Sequence, residues 1–183
     1  QLLHNMRKIF RRDYGFFWWI SKAGWLERIT VIPAVYAAVR FGGDDAYEEA
    51  QKMVLEAFAV MGEEYVSVVK RAFAERWVDV MECRRKRSGA YSSGCYDSYP
   101  YLLVNYDNTL NDVFTLAHEL GHSMHSFYSR QNQEYHYADY EIFVAEVAST
   151  TNELLLSRYL LQNTDDHAFR AYLLGHLADE MRG

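Results

Sequence analysis

Two histidines and a glutamate in His118-Glu119-Leu120-Gly121-His122 have the residue types and spacing of metal chemistry. They sit inside the stretch from Val113 to Phe127, whose apolar spacing predicts a helix. On a helix, positions four apart share a face and lie about 6 Å apart along the axis. His118 and His122 can therefore aim two imidazoles at one point. Zinc takes neutral imidazole nitrogen at about 2 Å, so the pair supplies half of a tetrahedral site. Glu119 follows the first histidine and can act as general base toward a metal-activated water. The bland alternative is a pair of core or surface histidines with no metal. An apolar-periodic helix argues against it, because buried imidazoles and a carboxylate without partners cost desolvation energy.

A third ligand must come from elsewhere. His125 shares the face of His118 but lies about 10.5 Å further along the axis, too far to share one ion with it. A histidine six residues past His122 is absent, since Tyr128 stands there. Cys95 is a loop candidate of low weight, and His136 reads as a surface or loop residue. The next acidic segment, Tyr140 to Glu153, reads as a second helix. Glu146 and Glu153 are seven apart and share a face, whereas Glu141 points elsewhere. A carboxylate from this helix would complete a two-His-one-carboxylate set and leave the fourth position open, the arrangement of a catalytic site.

Several further elements must position these groups. Ala46 to Met61 reads as a helix with Met53, Val54, Ala57, Phe58 and Met61 inward, and Gly62 breaks it. Glu63 to Trp77 reads as another, with Val66, Val69, Phe73 and Trp77 at helical intervals. Trp77 to Met81 and Tyr101 to Tyr106 alternate as strands do, and Ser88 to Gly94 is a small-residue loop between them. The basic run Arg84 to Arg87 reads as a solvated loop face. Asn111 or Asp112 can cap the motif helix. The second helix continues to about Leu161, and Thr164-Asp165 opens a last one through about Arg182. Residues 1–43 read as helices with aromatic core faces; Lys22, Glu27 and Arg28 cut their apolar run too short to span a bilayer. A single domain over residues 1–183 is expected, mainly α, with a small antiparallel β-sheet beside the motif helix.

Composition narrows the function class. Half of the 183 residues are hydrophobic, which is enough for a sizeable core. A net charge of −6 argues against a general nucleic-acid role. Cys83 and Cys95 make no disulfide framework, so free thiols in a cytoplasmic protein are expected.

Four stretches, in order, resemble the oligoendopeptidase F branch of the thimet-oligopeptidase family of zinc peptidases. They are Lys86 to Gly94, Pro100 to Tyr106, Thr115 to Ser126 and Phe143 to Glu153. The resemblance runs from about Asp44 to Gly183, and residues 1–43 diverge from it. It implies a helical zincin-like catalytic core over residues 44–183. It implies one zinc per chain, with Glu146 as third ligand beside His118 and His122, and leaves Glu153 to orient a ligand from outside the set. It implies hydrolysis of oligopeptides with Glu119 as general base, and a strand at Tyr101 to Tyr106 beside the cleft. In the family, a downstream His and Tyr-rich segment supplies further oxyanion donors, and an N-terminal helical part walls the channel. Neither has a counterpart here, so a partial catalytic core is expected. The alternatives are a zinc-binding fragment that acts only with a partner chain, or a non-enzymatic helical module. No nucleic-acid or membrane partner is expected.

Overall fold

A computed structural model describes residues 46–182. The helices expected within residues 1–43 lie outside the described residues. Helix α1, Ala46–Ala57, runs on through a 3-10 turn at Phe58–Met61. It buries Ala46, Ala50, Val54 and Ala57, a stripe of mostly small side chains at helical spacing. Met61, expected inward, is instead exposed, because the 3-10 turn rotates it off the stripe. Gly62 then takes a φ of +98°, a conformation that favours glycine and lets the chain turn into α2, Glu63–Ala74.

Three short strands follow: β1 at Val78–Asp79, β2 at Tyr91–Ser93 and β3 at Tyr101–Leu103. The small sheet has the order β1-β3-β2. β2 pairs antiparallel with β3, but β1 pairs parallel with it, so the sheet is mixed rather than antiparallel. Alternation could not have shown this, because the side-chain period is the same in both directions. Packing explains the order. β3 carries the buried Leu102, with Val104 just beyond it, and takes the centre; the serine-bearing β2 takes an edge. The backbone continues the pairing: Leu102 N donates to Trp77 O at 2.8 Å and Val104 N to Asp79 O at 3.0 Å. The connection from β1 to β2 must therefore cross from one edge to the other. Lys86 ties it down, donating to the Asp79 and Met81 carbonyls at 2.9 and 3.0 Å and pairing with the Asp79 carboxylate at 3.3 Å. Arg84, Arg85 and Arg87 are exposed as expected, but the side chain of Lys86 is only 2% exposed.

Helix α3, Leu110–Asn132, is the central element. Its cap is Thr109 rather than Asn111 or Asp112. Thr109 Oγ1 accepts from Asp112 N at 3.2 Å, and the Asp112 carboxylate accepts from Thr109 N at 2.9 Å. Asp112 is therefore the reciprocal partner of a capping box, three residues inside the cap. Leu110, Val113, Phe114, Leu116, Ala117, Leu120 and Met124 are all buried, so neighbours cover more than one face of this helix. Its chief partner is α4, Ile142–Gln162. Ala145, Ser149, Asn152 and Leu156 form the buried seam of α4. Glycine at 121 lets the backbones close: a methyl group there would stand 2.6 Å from Ser149 Cα and 2.7 Å from Ala148 O.

Of the described residues, those from Ala46 to Asp165 belong to one compact unit, and helix α5, His167–Arg182, belongs to another. The Asp166 carboxylate caps α5 by accepting from Ala168 N at 2.8 Å. Among the described residues no helix is long and apolar enough to cross a membrane.

Candidate metal centre

The α3–α4 contact brings three donors from two helices to one point. His118 Nε2 and His122 Nε2 are 3.0 Å apart. Glu146 Oε2 lies 3.5 Å from the first and 3.9 Å from the second. A tetrahedral ion with bonds of 2.0–2.1 Å would hold its donor atoms roughly 3.3 Å apart. The observed separations bracket that value. Two imidazole nitrogens and one carboxylate oxygen suit zinc, and three protein donors leave a fourth position open. The Glu146 side chain is 45% exposed, so the open side faces solvent.

Each donor is held by a partner. His118 turns Nδ1 toward Glu153 Oε1 at 3.2 Å, which directs Nε2 and its lone pair at the shared point. The His122 ring donates to the Ala145 carbonyl. Ser149 Oγ, fully buried, donates to Glu146 Oε2 at 2.9 Å and fixes the carboxylate. His125 is not in the group: it stacks on Tyr140 with ring centroids 3.9 Å apart. Cys95 and His136 are exposed and are not among the three grouped donors. Glu141 sits at the N-terminal boundary of α4, away from the donors.

Glu119 is 7% exposed. The Ser92 backbone N–H donates to its carboxylate, and Oε2 has no partner among the described residues. Strand β2 is in turn docked on α3 by the 2.7 Å contact between Ser92 Oγ and Ser123 Oγ. Burial pushes the Glu119 carboxyl above the ordinary carboxylate range, with the neighbouring His118 opposing the rise. A carboxylate with one anchored and one unengaged oxygen, of raised proton affinity, is equipped to accept a proton.

The two imidazoles differ in proton affinity. The hydrogen bond to Glu153 raises His118 above the usual imidazole value, and burial lowers His122 below it. Metal must displace the proton of His118, so affinity falls as pH drops. The signs for stability are opposite. His118 contributes stability to the metal-free fold below the unfolded imidazole pKa, lost as pH rises through its raised folded value. His122 favours its neutral form, so its contribution is lost as pH falls through the imidazole range. We expect Glu153→Gln to return His118 toward the ordinary value and leave His122 little changed. NMR titration of the imidazoles in metal-free protein measures this; an unmoved His118 would rule out the Glu153 bond as the cause.

Sequence reasoning reached all five of these acidic and imidazole residues but not Ser92, Ser149, Asn152 or Tyr65. The missed signal was Ser149 and Asn152, two polar residues on an otherwise apolar helical seam. Asn152, 1% exposed, donates to Ala117 O at 3.1 Å and accepts from Tyr65 OH at 3.0 Å. Burial pushes the Tyr65 phenol up to about 12, which keeps it a donor.

Comparison with known proteins agrees with this geometry. Residues 44–182 match the model of peptidase family M3. Oligopeptidase PepF of Bacillus subtilis is 54% identical over 137 residues, 75% of this chain and 20% of its own length. The chromosomal oligoendopeptidase F of Lactococcus lactis subsp. cremoris is 53% identical over 137 residues, 75% of this chain and 23% of its own length. A crystal structure of a Chlamydophila abortus protein superposes with a TM-score of 0.72 at 46% identity, covering 74% of this chain and 23% of that one. The chain thus spans about a fifth of the length of the curated relatives it matches. With the family match extending over most of the sequence, from the start of α1 to the last helix, the chain belongs to peptidase family M3.

Proposed function

We propose that this chain carries the metal centre of a zinc metalloendopeptidase that hydrolyses oligopeptides. The observation that carries the reading is the convergence of His118, His122 and Glu146, with donor atoms 3.0–3.9 Å apart on the open side of two packed helices. Their relatives' names, oligopeptidase and oligoendopeptidase, support the substrate class. His118, His122 and Glu146 hold one zinc. Bound zinc supplies Lewis acidity, polarising a peptide carbonyl and making water a stronger acid. Glu119 takes the proton from the attacking water on its unengaged oxygen and returns it to the departing amine. The Ser92 N–H keeps that carboxylate aimed throughout. Glu153 holds His118 in the tautomer whose Nε2 is a donor. Two exposed free cysteines support a reducing, cytoplasmic setting.

The test is metal content of purified chain beside Glu146→Ala, with a quenched-fluorescent peptide assay on the same samples. One zinc per chain in the wild type, lost from the variant together with cleavage, is the expected outcome. Equal zinc in both would sink Glu146 as a ligand. Zinc without cleavage would keep the metal centre and reject peptidase activity for the chain by itself. No zinc in the wild type would reject the reading altogether.

A further inference from the structure

The buried seam of α4 contains a side chain that its packing does not require. Ala145, Ser149, Asn152 and Leu156 recur at spacings of four, three and four, so position 152 faces α3 squarely. Leucine, branched at Cγ as asparagine is, would cover the same direction without a buried amide. The amide costs desolvation unless its polar atoms are bonded. Here both ends are engaged, and by different helices. One amide hydrogen goes to Ala117 O on α3, the carbonyl directly before His118. The carbonyl oxygen takes the hydroxyl of Tyr65 from α2. One side chain thus ties three helices at a single point, one residue before the glutamate that accepts from His118 Nδ1.

We propose that Asn152 is a positioning residue: it fixes the register of α4 against α3, with Tyr65 orienting its amide, and thereby keeps Glu146 on the metal held by His118 and His122. This role rests on the zinc reading above. The physical basis is that of a buried amide whose partners lie across a helix interface. It contributes little net stability but selects one alignment, because slipped alignments leave its amide buried and unbonded. The alignment matters here because a slip of one residue moves α4 by about 1.5 Å and rotates its face by roughly 100°. Donor separations of 3.5 and 3.9 Å between Glu146 and the histidines would not survive it. The methyl-sized gap at Gly121 admits the approach of α4; the Asn152 amide selects where along the axis that approach is made.

The experiment uses the 183-residue chain, with zinc affinity from chelator competition, the visible spectrum of the cobalt(II)-loaded protein, and thermal unfolding without metal. Asn152→Leu, which trades the buried amide for extra apolar bulk, is expected to remain folded and to unfold cooperatively without metal. Its zinc affinity should nevertheless fall by about tenfold or more, with altered cobalt bands. Tyr65→Phe should weaken zinc less, in the same direction, and the two losses should not add. Asn152→Leu with unchanged affinity and cobalt bands would overturn the role, whatever its unfolding temperature. If that variant does not fold, Tyr65→Phe decides: affinity equal to wild type overturns the role, and a loss with unchanged cobalt-free folding supports it. A wild type that takes no zinc would instead overturn the metal centre itself, and this role with it.

Discussion

Glu119→Gln should lower peptide hydrolysis by about 10²–10⁴-fold while zinc content stays at the wild-type level. Glutamine has nearly the same shape, and its amide oxygen can still accept from the Ser92 N–H. What it cannot do is take up a proton, which the unengaged Oε2 of Glu119 can. The three proposed metal donors are untouched, so metal binding and catalysis should separate cleanly. Thermal unfolding gives an independent check. Burial favours the protonated form of Glu119, so its folded pKa lies above its unfolded one. Such a group costs stability as pH rises through its titration range. Removing the charge should leave the melting temperature at neutral pH equal or higher. Hydrolysis that persists at wild-type rate in the glutamine variant would exclude Glu119 as the base.

Gly121→Ala should destabilise the fold and weaken zinc binding together. Helix propensity alone predicts the opposite sign, a gain of about 1 kcal/mol for replacing a mid-helix glycine. Sterics reverse it. The added methyl group would stand 2.6 Å from Ser149 Cα, 2.7 Å from Ala148 O and 2.9 Å from Ala148 C. These are backbone atoms and cannot rotate away, so α4 must shift as a body. Overpacking of this kind costs about 1–3 kcal/mol, enough to match or exceed the propensity gain. The shift also carries Glu146, three residues before Ser149, away from the histidines. Zinc affinity should therefore fall by roughly 10–100-fold, as measured by chelator competition. Gly175→Ala is the control: among the described residues nothing lies within 4 Å of a methyl group there, so the propensity gain meets no such clash. Equal behaviour of the two variants would show that the helices at Gly121 are not in close contact.

The candidate site residues were legible because their geometry is local. His118, Glu119 and His122 are placed by the pitch of one helix, and Glu146 and Glu153 by the pitch of another. Helix positions were legible for the same reason, since apolar periodicity records which face is covered. The cap was misplaced by two or three residues because Thr109 and Asp112 act as a reciprocal pair, and each alone reads as a cap. Strand direction was not legible. Burial of Leu102 and Val104 sets β3 at the sheet centre, whereas the parallel pairing of β1 with it is recorded in neither strand's own pattern.

What the sequence by itself determined is the candidate donor types, their spacing on each helix and the mainly helical architecture. What only the tertiary structure decided is the meeting of the two helices. Between Glu146 and Glu153 the helical period offers no choice, because both lie on one face. The packing separates them. Glu146 Oε2 reaches both Nε2 atoms, whereas Glu153 Oε1 lies beside the opposite nitrogen of His118. That division depends on the close approach at Gly121 and the amide of Asn152, contacts between residues about 30 positions apart in sequence. Periodicity along one helix carries no information about the axial offset of its neighbour, and here the offset assigns each carboxylate its place.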